Sequence, residues 1–367
     1  ALSSAASDVY KRQMILVVCL GYCIQNIRTR GIRTVGKVSK IAVFLTFGYI
    51  IFWVGMRNAF VDTAAYIAQF SQASWANFTY MEFTFDSGWG FDTLMILFKE
   101  LISSNYHVWL MFLAVVSGGC IAFVFWRYST NYYYTLFLFL AMTNFTWLMN
   151  GIRQFLAVTI IFACTPLIEK KKWLPYCLIV LLCTTIHASC IIMIPIYFVV
   201  QGKPWSKKTL LIIVGVCLVV VFATQFTNLL DTVLEDTKWA TMSEDYINDD
   251  GVNPLRVCVY SVLAILAFVG RKQLKEVPSW VNIFTNMSVV TVALYAIGMV
   301  TNGIMIGRLP IYIQMYGYVL QPYVIDKCFT VRSKKLLYAA SIVCYLFYFY
   351  LMTRGFYYSS DFTGRIY

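Results

Sequence analysis

The feature that most restricts this chain is a succession of apolar runs separated by short polar breaks. They fall near residues 14–27, 41–56, 106–127, 132–149, 155–168, 173–187, 188–200, 209–227, 255–270, 280–300, 309–326 and 336–352. A helix needs roughly 20 apolar residues to cross a bilayer, so about 12 spans, some short or re-entrant, would consume most of the chain. Composition agrees: 60% of the 367 residues are hydrophobic and 13% charged, against the ~25% charged of a soluble domain. An ordinary soluble enzyme and a disordered chain are both excluded. The fold class expected is all-α, a polytopic transmembrane helical bundle forming a single membrane domain over residues 14–367. Residues 1–13 are small and polar and precede Met14, so they read as a non-native leader or a truncated first span.

The net charge of +12 would suggest nucleic acid if the basic residues were clustered on one surface. They are not. Alternate loops (28–40, 127–131, 169–172, 201–208, 271–276 and 326–335) hold 19 of the 29 Lys and Arg but only three acids, Glu169, Glu276 and Asp326. Positive loops stay in the cytoplasm, which places loops 57–105 and 228–254 outside. Nucleic acid is therefore not an expected partner; the lipid bilayer is. Ten of the 11 cysteines lie in apolar runs, no CxxC occurs and there are two histidines, so small buried hydrophobes are expected rather than disulfides or metal ligands. No glycine-rich phosphate loop is present, and neither cofactor nor metal is expected.

Ionisable groups at the ends of spans are expensive and default to functional candidates. Arg57 closes the second run, and a helix continuing through it would set Asp62 and Tyr66 four apart on one face. The alternative reading is interfacial snorkelling of Arg57 with a salt bridge to Asp62. Asn150-Gly151-Ile152-Arg153-Gln154 separates two apolar runs; Asn150 and Arg153 would share a helix face, and a guanidinium between amides can grip an anion bidentately. Its alternative is an arginine anchoring a tight turn. His187 sits at another hairpin, where it could equally be a satisfied buried histidine. Arg308 precedes a tyrosine-rich run. In loop 57–105, Glu82, Asp86 and Asp92 supply carboxylates, and Trp75, Phe83 and Trp89 are aromatics suited to sugar faces or to the interfacial belt. Residues 91–102 read as a short amphipathic helix lying on the outer surface, with Phe91, Leu94, Met95, Phe98 and Ile102 on one face. Arginines converging at the outer leaflet call for an anion, and a polyprenol-linked pyrophosphate suits that depth.

With these residues in view, the chain resembles the EpsG-like exopolysaccharide polymerases, Wzy-type polymerases of bacterial envelopes. The resemblance is carried by Arg57-x4-Asp62-x3-Tyr66, by Glu82 ahead of Gly88-Trp89-Gly90-Phe91-Asp92-Thr93-Leu94, by Asn150-Gly151-Ile152-Arg153-Gln154 and by His187-Ala188-Ser189 before Pro195. It covers roughly residues 41–200 and implies a GT-C-like membrane glycosyltransferase. The enzyme would use a polyprenyl-diphosphate-linked oligosaccharide on the outer face of the bacterial cytoplasmic membrane, with a flippase and a chain-length regulator as partners. An inverting displacement at the anomeric carbon would need guanidiniums for the leaving diphosphate and a base for the attacking hydroxyl. Arg57 and Arg153 are assigned to the diphosphate, with Arg308 as a third. Asp62 or His187 is the candidate base, and Glu82 a further catalytic carboxylate. Tyr66, Asn150, Gln154 and Trp89 are assigned to substrate binding. Two other readings are a membrane O-acyltransferase with His187 as base and a transporter or flippase of lipid-linked sugars.

Overall fold

A computed structural model describes residues 38–85, 87–222, 225, 251–301 and 306–362. The expected leader 1–13, the run 14–27, Arg28, Arg30, Arg33 and Lys37, Asp86 and residues 228–250 of the second long loop lie outside the described residues. The principal elements in chain order are α1 (Lys40–Gly55), β1 (Arg57–Ala59), α2 (Thr63–Gln72), α3 (Trp89–Leu101), α4 (Tyr106–Tyr128), α5 (Tyr132–Ala141), α6 (Ile152–Ala163) and α7 (Trp173–Thr184). They continue with α8 (Lys207–Val221), α9 (Pro254–Val269), α10 (Ser279–Val300), α11 (Gln314–Cys328), α12 (Val331–Met352) and β2 (Ser359–Ser360). Several apolar helices begin at a short polar side chain that accepts from an otherwise unpaired first-turn N–H. Ser39 does this for Ala42 at 3.2 Å, Asn105 for His107 at 2.8 Å and Asn253 for Leu255 at 2.8 Å.

Four helices among the described residues are long and apolar enough to cross a membrane: Tyr106–Tyr128, Pro254–Lys272, Ser279–Val300 and Val331–Met352. The protein is thus an all-helical membrane protein with a minimal two-stranded sheet. Other expected spans are shorter helices. The run 132–149 stops as a helix at Ala141 and resumes as the 3-10 segment Asn144–Leu148, while 155–168 breaks at Cys164. Likewise, 309–326 divides into a 3-10 turn, Leu309–Tyr312, and α11. Continuous hydropathy does not reveal where the backbone changes from one helix to the next.

The chain divides into two compact units, residues 1–193 with 330–367, and 194–329. In the first, α4 packs against both α1 and α6, and Phe47, Phe125 and Phe139 interlock with centroids 5.8–6.3 Å apart. α12 joins this unit through α5, where the Tyr134 and Ser341 hydroxyls lie 2.6 Å apart. After α12 the chain returns to the start of the unit. β2 pairs antiparallel with β1, Arg57 opposite Ser360. Tyr358 donates to the Trp53 carbonyl at 2.7 Å, and Asn58 to Asp361 at 2.6 Å.

A second core cluster positions the site. Phe70 of α2, Phe91, Met95, Ile96 and Phe98 of α3, Trp109 and Leu113 of α4, and Ile152 and Leu156 of α6 are buried together. Trp109 is its hub, stacked on Phe70 at 5.8 Å and met by Phe98 at 5.1 Å. The amphipathic helix expected over 91–102 is therefore present, starting two residues earlier and ending one residue earlier. Ile96 replaces Ile102 on the buried face, because the helix ends at Leu101 and Ile102 is 68% exposed. In the second unit, α10 packs against α8, α9 and α11; Asn286 donates to the carbonyls of Val200 and Gly202 at 2.9 and 3.2 Å.

Candidate functional site

The site residues in the first unit assemble around the break between α5 and α6. Gly151, with φ +63°, turns the chain just before α6, a conformation that a side-chain-bearing residue adopts at a cost. Asn150 consequently stands outside the helix and does not share a face with Arg153, correcting the expected i,i+3 pairing. The Asn150 amide oxygen is buried with no hydrogen-bond partner among the described residues. Arg153, in the first turn of α6, donates through Nη2 to Asp92 Oδ1 at 3.0 Å. Its guanidinium lies over the Phe91 ring, 5.1 Å from the centroid. Gly88, at φ +74°, opens α3 directly beside this group; a Cβ there would stand 2.7 Å from Arg153 Nη1. The helix start and the arginine thus occupy one space only because position 88 lacks a side chain.

Asp92 has a second donor, Gln69 Nε2 of α2 at 3.2 Å. Its carboxyl is pushed above the usual carboxylate range by burial, with the Arg153 charge pulling the other way. Tyr66, also on α2, donates to Asp62 Oδ2 at 3.3 Å and accepts from the Gly151 N–H at 2.7 Å. Burial raises the Tyr66 phenol, the Gly151 N–H opposes this and Asp62 reinforces it, so the hydroxyl keeps its proton at neutral pH. On the other flank of α6, Gln154 Nε2 donates to Ser189 Oγ at 3.3 Å, and Ser189 Oγ lies 2.8 Å from His187 Nδ1. The 185–187 turn is fastened to α3 by the Gly90 N–H, which donates to the Thr185 carbonyl at 2.8 Å. Tyr66, Asp92, Arg153, Gln154 and His187 are therefore linked through α2, α3, α6 and the turn after α7.

Other expected residues are placed differently. Arg57 does not continue a helix toward Asp62: it lies in β1, is 1% exposed, and donates to the Val54 carbonyl and Thr63 Oγ1. The helix ends at Gly55, and the backbone of Arg57 pairs instead with Ser360 of β2. The open hollow of about 440 Å³ beside the start of α2 is lined by residues including Phe60, Val61, Ala64, Phe356 and Tyr357, and not by Arg57, Arg153 or His187. Glu82 is exposed, its carbonyl accepting from Ser87 Oγ at 2.7 Å. Trp89 opens α3 with its ring edge-on to Phe83 at 5.5 Å. Arg308 is exposed in the second unit, just before the turn Leu309–Tyr312.

Sequence reasoning assigned no role to Gln69, Ser189 or Gly88, and treated Asp92 only as one of several carboxylates. A signal existed for Asp92: it is the polar residue in the first turn of an amphipathic helix, next to the aromatic that packs inward. The assembly offers an arginine with donors left over, neutral hydrogen-bonding groups and a half-buried carboxylate, a set suited to holding an anion and moving one proton.

No curated protein and no solved structure matches the chain. Among family models, the one described as EpsG family matches residues 40–363. That span takes in both compact units and every site residue described above, and the chain belongs to the EpsG family, a membership that implies a polymerase-type glycosyltransferase.

Proposed function

We propose that this protein is an exopolysaccharide polymerase joining polyprenyl-diphosphate-linked oligosaccharide repeats on the outer face of the bacterial cytoplasmic membrane. In this reading, the sugar hydroxyl of one lipid-linked repeat attacks C1 of the reducing-end sugar on another. Polyprenyl diphosphate leaves, with inversion at C1. A GT-C-like arrangement of about 12 crossings and re-entrant helices would carry the reaction. A flippase supplying the repeats and a chain-length regulator are the partners this reading proposes.

The observation that carries the reading is the bracing of Arg153. Asp92 and Phe91 hold the guanidinium from one side, and among the described residues no other hydrogen bond engages it. Its side chain is 31% exposed, which leaves N–H donors for the two oxygens of a diphosphate. Charge that develops on the leaving group is stabilised most by donors already in place. Tyr66, Asn150 and Gln154 are assigned in this reading to the sugars of the substrate, and Trp89 to a sugar face. His187, held by Ser189, can serve as a proton carrier.

The direct test is polymer formation by the purified full chain from purified lipid-linked repeats, with release of polyprenyl diphosphate measured in parallel. Ladders of repeat-length products are expected. Transfer of an acyl group to the same sugars, or movement of the lipid across vesicles without chain growth, would replace this reading with an acyltransferase or a transporter.

A further inference from the structure

We propose that Asp92 is the base that takes the proton from the attacking sugar hydroxyl, with Arg153 shared between this carboxylate and the donor diphosphate. The inference rests on the polymerase reading and adds to it the residue that activates the acceptor.

Three observations support it. First, the two carboxylate oxygens of Asp92 are used unequally: Oδ1 accepts from both Arg153 Nη2 and Gln69 Nε2, and no described residue donates to Oδ2. One oxygen is a fixed anchor; the other keeps its lone pairs for a substrate. Second, the Asp92 side chain is 30% exposed, enough for a hydroxyl to approach yet sheltered from bulk water. Third, Asp92 is the carboxylate that touches Arg153. If Oδ1 occupies one edge of the guanidinium and a phosphate oxygen another, N–H···O lengths put the two oxygens roughly 6–8 Å apart. Inverting glycoside hydrolases keep their carboxyl groups about 6.5–9.5 Å apart to fit a nucleophile and an anomeric carbon between them. The same spacing here seats the acceptor hydroxyl between base and leaving group. Asp62 stands exposed just before α2 and is hydrogen-bonded to Tyr66 rather than to Arg153; His187, whose Nδ1 meets Ser189, is left to carry the proton onward.

The step balances without a co-reactant. The acceptor O–H bond breaks and its proton passes to Asp92 Oδ2, while an oxygen lone pair forms the new bond to C1. The C1–O bond to the diphosphate breaks, and its electron pair leaves on the phosphate oxygen held by Arg153. Burial gives Asp92 a greater proton affinity than an ordinary carboxylate. Drawing the Arg153 charge toward a bound diphosphate weakens the one interaction that opposes this. Donor binding thereby makes the base stronger when it is needed.

The test compares wild-type full-length protein in nanodiscs with Asp92→Asn, Asp92→Glu and Asp92→Gly, using purified lipid-linked repeats for turnover and polyprenyl diphosphate alone for binding. Asp92→Asn should bind polyprenyl diphosphate within about threefold of wild type while turnover falls about 10²–10⁴-fold, the share of a positioned general base. Asp92→Glu should recover part of that loss. Added formate should restore turnover of Asp92→Gly about tenfold or more by accepting the proton in the vacated space. The acid limb of the wild-type pH profile, where a protonated Asp92 cannot act, should vanish from the residual activity of Asp92→Asn. Loss of diphosphate binding in Asp92→Asn, near-normal turnover of that variant, or Asp92→Gly that binds but ignores formate would each reduce Asp92 to a brace for Arg153 and overturn the inference. Failure of the polymerase reading looks different: the wild-type chain itself would bind polyprenyl diphosphate poorly and yield no polymer.

Discussion

The Tyr66 hydroxyl accepts the backbone N–H of Gly151 at 2.7 Å, joining α2 to the turn that opens α6 across 85 residues of sequence. A phenol thus takes the place of the carbonyl that an uninterrupted helix would have supplied to this N–H. Tyr66→Phe removes the acceptor and leaves the amide unpaired, at a cost of about 1–3 kcal/mol. A lower unfolding temperature of the purified protein, together with slower chain growth, is the expected result; unchanged stability would mean that water replaces the hydroxyl there.

Arg153→Lys separates charge from geometry. Lysine keeps the cation but not the planar fork that serves Asp92 and a diphosphate at once. Chain growth should fall nearly as far for lysine as for alanine, by about 10²–10³-fold, as when one positioned oxyanion donor is removed. Protein amounts matched by blotting keep misfolding apart from lost chemistry. Near-normal growth with lysine at 153 would leave the arginine as an anchor of the turn.

Ser189 lies between Gln154 and His187, where its hydroxyl fixes one ring nitrogen of the imidazole. Ser189→Ala should slow turnover about tenfold with little change in KM, a fraction of what a positioned acid–base group contributes. Ser189→Thr, which keeps the hydroxyl, should recover most of it. Equal losses in both variants would point to packing instead.

Arg57 is expected to act on stability before chemistry. Arg57→Ala leaves the buried Val54 carbonyl and Thr63 hydroxyl oxygen without this donor, a loss of about 1–3 kcal/mol. The check is thermal unfolding beside polyprenyl diphosphate binding. Weakened binding in a variant of unchanged stability would return Arg57 to the diphosphate site.

Orientation can be read chemically. In a cysteine-free background, cysteine at Ser87 should react with an impermeant reagent on intact cells, whereas cysteine at Lys272 should react only after lysis. The reverse pattern would turn the Arg153 site toward the cytoplasm and remove access to an outer-leaflet substrate.

The long uninterrupted apolar helices and the helix at 89–101 were legible because length and periodicity are local properties of the chain. The turn at 150–154 was legible as well, since polar residues stand there between two apolar runs. The burial of Arg57 was not: its backbone pairs with a two-residue strand 303 residues further on, which no local pattern announces. Nor was the partner of Arg153. Asp92 is 61 residues away in sequence, and one of several carboxylates in its loop. Its place beside Arg153 emerges only when α3 is docked in the cluster of Trp109, Ile152 and Leu156. Asn150 was misplaced for a smaller reason: one residue of left-handed backbone at Gly151 is enough to end a helix face.

The pairing of β1 with β2 also bears on the order in which the molecule is made. Asn58 and Asp361 are 303 residues apart, and the intervening chain includes the whole second unit. At a synthesis rate of roughly 5–20 residues per second, about 15–60 s pass between the emergence of the two residues. Throughout that interval β1 has no strand to pair with, and the nascent first unit must be held by its helices alone, inserted but unlatched. The ribosome must make every residue between the two strands before the second can lock the first.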